Sequence, residues 1–145
     1  MFLSTELLQT LIVVAGVGQL VLVAVSPAIP KVLKWNEELT RVSELTRRLF
    51  WVYAAYILCT NLCFGLISTF APYALLDDSL LAIAVSGFIA VYWGSRLVIQ
   101  FACFGNVKPP GALYRFAEVV LVLFFVFLTV VYGATAYTNI LRLGL

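Results

Sequence analysis

Hydrophobic positions in this chain run in long unbroken blocks. No charged residue occurs from Leu7 to Pro30, from Leu49 to Leu76 or from Val119 to Leu141, and a fourth block, Leu80–Phe104, contains only Arg96. A helix rises about 1.5 Å per residue, so about 20 residues cross a bilayer core of about 30 Å. The blocks therefore predict four spans at Thr5–Val25, Leu49–Phe70, Leu80–Phe104 and Leu113–Tyr137. Proline and glycine punctuate them: Pro27 and Pro30 after the first, Ala71-Pro72 after the second, Gly105 with Lys108-Pro109-Pro110-Gly111 after the third. The fold class this predicts is an all-α integral membrane protein, a four-helix transmembrane bundle forming a single domain over 1–145. The first block lacks a basic leader, carries Glu6 early and ends in Ser26-Pro27, where cleavage is disfavoured, so it reads as a retained helix rather than a signal peptide.

The connection between the first two spans has a different pattern. Leu39, Val42, Leu45 and Leu49 recur at three- and four-residue steps, and Glu37 with Arg41 and Glu44 with Arg48 form i,i+4 pairs. This predicts a cytoplasmic amphipathic helix over 31–48 that runs on into the second span, with Trp35 and Trp51 at headgroup depth. It reads either as a solvated stalk or as a docking surface for a partner.

Charge sets the expected orientation. Lys31, Lys34, Arg41, Arg47 and Arg48 lie in the first connection, and Lys108 and Arg115 in or just after the third, seven basic residues against Arg142 alone on the other side. The positive-inside rule then places both termini outside, and Asp77 and Asp78 in the second hairpin fit an outer face.

Composition narrows the chemistry. The chain is 63% hydrophobic and 11% charged, against about 45–50% and about 25% in soluble domains, so its apolar groups exceed what a soluble core hides. It has no histidine, which removes the commonest haem, copper and zinc ligands. Its three cysteines, Cys59, Cys63 and Cys103, lie within apolar runs without the spacing of a zinc ribbon or a disulfide scaffold, and read as buried, inert thiols. No basic cluster interleaved with aromatics suggests nucleic acid. No nucleophile elbow, phosphate-cradling loop or HExxH occurs. The expectation is a protein that is not an enzyme and has neither cofactor nor metal.

The costly residues inside the spans remain. In the third span Ala82, Ser86, Ile89, Trp93, Arg96, Gln100 and Cys103 share one face at alternating four- and three-residue steps, and in the fourth Arg115, Glu118, Val122, Phe125, Thr129 and Tyr132 do the same. Arg96 and Glu118 fall roughly 12 and 8 Å from the cytoplasmic ends of antiparallel neighbours, which makes a salt bridge the natural pairing. Gln19, Tyr53 and Tyr56 lie in the same slab. The candidate cluster is thus Arg96, Glu118, Gln100, Gln19, Tyr53, Tyr56 and Trp93. It reads as an interhelical clamp or as a pocket in which Arg96 meets an anionic head group, a carboxylate or a quinone-like carbonyl. Ala15, Gly16 and Gly18 read as a close helix approach, and Asn61 as an amide needing a partner across an interface.

The segments Pro30-Lys31-Val32-Leu33-Lys34-Trp35 with Leu49-Phe50-Trp51-Val52-Tyr53, and Gly87-Phe88-Ile89-Ala90-Val91-Tyr92-Trp93-Gly94-Ser95-Arg96-Leu97 with Gln100-Phe101, resemble a family of bacterial four-helix inner-membrane proteins that carries no assigned activity. The resemblance implies four spans and a bacterial inner-membrane location. Two functions follow as expectations. The first is a non-catalytic membrane subunit or scaffold that self-associates or joins a larger complex, with membrane lipids, copies of itself or other membrane subunits as partners. The second is a carrier or binding protein for a lipid-like or small anionic molecule at the polar slab around Arg96.

Overall fold

The computed structural model describes residues 4–107 and 111–144. Its elements in chain order are α1 (Thr5–Val25), α2 (Ala28–Val32), α3 (Trp35–Glu38), a 3-10 turn at Leu39–Arg41, α4 (Glu44–Phe70), α5 (Pro72–Leu75), α6 (Leu80–Phe104) and α7 (Ala112–Leu143). The described residues contain no strand. The four long helices are long and apolar enough to cross a membrane. Three of them begin on a serine whose side chain accepts a backbone N–H of the first turn: Ser4 from Leu7, Ser43 from Thr46 and Ser79 from Ala82.

Two helix pairs make up the bundle. Helix α1 packs along α4, α6 packs along α7, and a narrower α1–α7 seam joins the pairs, whereas α4 and α6 hardly touch. Glycine permits the first pairing. A Cβ on Gly16 would lie 2.6 Å from Thr69 Oγ1 and 2.7 Å from the Thr69 backbone nitrogen, and one on Gly65 would lie 3.3 Å from the Gly16 carbonyl oxygen. Backbone cannot yield as a side chain does, so Gly16 requires the missing Cβ, while at Gly65 the nearer obstacle is the Leu20 side chain at 2.8 Å.

Burial is uneven along the axis. The buried residues of α1 run from Leu8 to Gln19, those of α4 are Phe64, Gly65 and Ser68, those of α6 run from Ala82 to Trp93, and those of α7 from Phe125 to Asn139. They are concentrated away from the basic 26–43 connection and stop at the level of Gln19, Trp93 and Phe125. The end away from that connection is closed by α5, whose Leu75 carbonyl accepts a 2.7 Å bond from Asn139 Nδ2, and by Arg142, which donates to Thr5 Oγ1 at 2.6 Å and stands 3.7 Å from Asp78. Toward the basic end the helices spread and leave a cavity.

The four spans occur where the apolar blocks place them, although α4 starts five residues earlier than Leu49 and α7 continues six beyond Tyr137. The helix expected over 31–48 is not continuous. Lys34 adopts a left-handed backbone (φ 53°) between α2 and α3, and Val42 and Ser43 are extended. Ser43 explains the second break, because its hydroxyl serves the Thr46 N–H as an N-cap and starts α4 afresh inside an otherwise uninterrupted apolar pattern. Glu44 pairs with Arg48 at 2.7 Å and also with Arg47, while Glu37 and Arg41 do not appear among the ion pairs of the described residues. The Lys108-Pro109-Pro110 stop lies outside the described residues.

Candidate functional site

The polar centre of the bundle is a four-helix hydrogen-bond node. Gln19 on α1 is fully buried; its Nε2 donates to Tyr132 Oη on α7 at 2.6 Å and to the Ala15 carbonyl at 3.2 Å, and its Oε1 accepts from Trp93 Nε1 on α6 at 3.2 Å. Ser68 Oγ on α4 lies 2.5 Å from the same Tyr132 hydroxyl. One amide thus serves an acceptor and a donor on different helices, which fixes its orientation. Each long helix contributes one side chain to the node.

Directly beside the node, toward the basic end, lies a cavity of about 850 Å³ between α4 and α6. Its α4 wall carries Trp51, Ala54, Leu58 and Asn61, its α6 wall Tyr92, Trp93, Arg96 and Ile99, and its α7 floor Leu121 and Phe125. The 26–36 segment covers the outer end through Pro27, Pro30, Lys31, Trp35 and Asn36. Trp35 is held there by edge-on contacts with Phe50, at 5.0 Å between centroids, and by Trp51 at 6.3 Å. At the inner end Phe64 packs edge-on against Phe88 at 6.0 Å and Tyr92 at 5.2 Å, bridging α4 and α6 where they come together. Trp93 stacks on Phe125 at 5.2 Å.

Charge in the cavity is one-sided. Its charged lining side chains are Lys31 and Arg96, and among the described residues no carboxylate lines it. The Arg96 guanidinium carbon sits 5.8 Å above the Phe125 ring, within cation–π range. The Arg96–Glu118 salt bridge expected from depth is not among the ion pairs of the described residues. Glu118 Oε1 instead accepts from Gln100 Nε2 at 3.4 Å, one turn along α6 from Arg96, and Arg96 points at the Phe125 face and the cavity.

The structure therefore divides the expected cluster. Gln19 and Trp93 meet in the node, Gln100 and Glu118 meet near the basic end, and Arg96 stands between them on the cavity wall. Tyr53 and Tyr56 belong to neither group: they are 63% and 68% exposed on the outside of α4. The inward ridge of α4 is Ala54, Leu58, Asn61, Gly65 and Ser68, and the two tyrosines lie off it. Cys59, Cys63 and Cys103 are exposed on the bundle surface rather than buried. Tyr132 and Ser68 complete the node without having been singled out from the sequence. Tyr132 does end the polar stripe of α7, which was the available signal.

No family model, curated protein or solved structure matches the chain.

Proposed function

We propose that the chain spans a membrane through α1, α4, α6 and α7 and binds an amphiphile with an anionic head group in the cavity between α4 and α6. The observation that carries this reading is the charge pattern of the cavity, an apolar and aromatic volume of about 850 Å³ whose charged lining side chains are both cations. An arginine in a span costs at least about 2.5–3.5 kcal/mol on insertion scales and is normally paired or hydrated. Arg96 has an aromatic face on one side and open cavity on the other, so an anion entering the cavity offsets that cost. The basic tally supports a cytoplasmic position for the cavity, with both termini outside, and the resemblance of the sequence supports a bacterial inner membrane.

The test is native mass spectrometry of the full chain in mild detergent with dodecyl phosphate as probe. The unsubstituted protein is expected to retain one dodecyl phosphate, and Arg96→Gln to lose it while keeping its helical circular dichroism. A protein that stays empty throughout a titration with dodecyl phosphate, or an Arg96→Gln variant that binds equally well, overturns the reading.

A second reading, a non-catalytic subunit that self-associates or joins a larger complex, is supported by the outward position of Tyr53 and Tyr56, whose hydroxyls lie on a face of α4 that this chain does not cover. Cross-linking in native membranes from a photoreactive side chain at position 56 tests it. Adducts confined to lipid count against it.

A further inference from the structure

The cavity has a shape that says where its occupant comes from. Helices α4 and α6 hardly touch, and the residues flanking their gap, Ile57 and Ile99, are apolar and exposed. The gap is therefore a side slot with apolar lips. Along α4 the lining runs from Trp51 to Asn61, ten residues or about 15 Å of helix. That is half of a bilayer core of about 30 Å. The slot is closed at its inner end by Phe64 against Phe88 and Tyr92, and its cations, Lys31 and Arg96, lie on the outer side of that plug.

We infer that the occupant is an anionic phospholipid of the leaflet at the basic end, which enters sideways through the α4–α6 slot, sets its phosphate against Arg96 and Lys31 and lays a chain between Leu58 and Tyr92, beside Trp93, as far as the Phe64 plug. This rests on the binding reading above and adds the source and route of the ligand. Arg96 starts roughly 12 Å inside its span, but its long side chain reaches toward the interface as such side chains do, so the head meets it from the interface side while the chain runs toward the midplane. Zwitterionic lipid fits the same volume but brings a cation toward Arg96 and Lys31, so the charge of the lining selects against it. The phosphate accepts charge-assisted bonds from a guanidinium, the geometry for which arginine is suited.

The chain contains its own reporter. All three tryptophans, Trp35, Trp51 and Trp93, line the cavity, and Trp93 is 2% exposed, shielded from lipid on the outside of the bundle. In a Trp35→Phe/Trp51→Phe variant, Trp93 alone emits. This variant is reconstituted into vesicles of phosphatidylcholine and phosphatidylglycerol in which one or the other lipid carries brominated chains that quench on contact. Brominated phosphatidylglycerol is expected to quench Trp93 saturably and at a lower mole fraction than brominated phosphatidylcholine. Arg96→Gln in the same background is expected to raise the half-quenching mole fraction of phosphatidylglycerol about tenfold, as loss of a charge-assisted bond does. Mass spectrometry of the unsubstituted chain ejected from the same vesicles reads the preference without relying on the reporter variant folding. Equal quenching by the two lipids with equal retention of both overturns the inference, as does binding of inorganic phosphate in the absence of any quenching by brominated phosphatidylglycerol, which makes a free anion the ligand. Retention of dodecyl phosphate without phosphatidylglycerol quenching defeats the lipid route and leaves the binding reading standing; failure of both defeats both.

Discussion

Replacing Gln19 by leucine removes the centre of the four-helix node while keeping side-chain volume nearly unchanged. The amide makes two interhelical bonds, to Tyr132 at 2.6 Å and from Trp93 at 3.2 Å. Interhelical bonds in membrane proteins average about 0.6 kcal/mol and reach about 1.7, so the two together contribute about 1–3 kcal/mol. The substitution also leaves the Trp93 N–H without its acceptor, at about 1–3 kcal/mol where no water reaches it, although the neighbouring cavity lets water recover part of that. Tyr132 keeps Ser68. Gln19→Leu should therefore cost about 2 kcal/mol. Tyr132→Phe should cost less, about 1 kcal/mol, because Ser68 turns to its own preceding turn and Gln19 keeps the Ala15 carbonyl. Equilibrium unfolding in mixed micelles of mild detergent and dodecyl sulfate, followed by circular dichroism, measures both variants and the double variant. Their coupling should lie between about 0.6 and 1.7 kcal/mol. Additivity to within about 0.3 kcal/mol, the behaviour of independent sites, would refute a direct Gln19–Tyr132 bond.

Two further outcomes follow from packing and exposure. Gly16→Ala drives a Cβ into the Thr69 backbone and should cost about 1–3 kcal/mol. Gly133→Ala, on α7 with nothing within 4 Å of the added carbon, should be neutral or stabilising by up to about 1 kcal/mol; the same unfolding assay separates them. Cys59 and Cys63, exposed on the outside of α4, should be labelled by an apolar maleimide that partitions into lipid and not by a charged one, because a charged reagent does not enter hydrocarbon. Mass shifts of intact protein after each reagent check this.

How far the sequence discloses this structure depends on which coordinate is asked for. Height along the bundle axis is legible, because residue count converts directly to height in a helix; the four blocks become four long helices, and Gln19 and Trp93, both in the expected cluster, do meet. Azimuth is legible only where polar residues repeat on one face. The α6 face from Ala82 to Trp93 is buried as its periodicity implies, yet Arg96 and Cys103 on the same face are exposed, since a shared face says nothing about whether a neighbour approaches it. Helix α4 has few polar residues to mark its inward ridge, so Tyr53 and Tyr56 were grouped by height alone and lie elsewhere. The cavity depends on helices diverging, a property of the assembled pairs that no single segment encodes. The break at Val42-Ser43 is local and was in principle visible, since serine three residues before threonine, with an acid in the first turn, is a helix start; the apolar repeat running through it concealed the signal.

The uneven pairing of the helices also distributes stiffness. Along α1–α4 the Gly16 clearance is tight, along α6–α7 the helices pack over much of their length, and the α1–α7 seam carries the Gln19–Tyr132 bond of the node. Between α4 and α6 the contacts are few: the aromatic edges at Phe64 and a polar side-chain contact between Asn61 and Tyr92. The bundle is thus two closely packed helix pairs, joined along one edge by the α1–α7 seam and across the other by the few contacts around Phe64 and Asn61. Any rotation about that seam is multiplied by the width of a helix at the opposite edge, so the mouth is the part of the bundle with most room to change width.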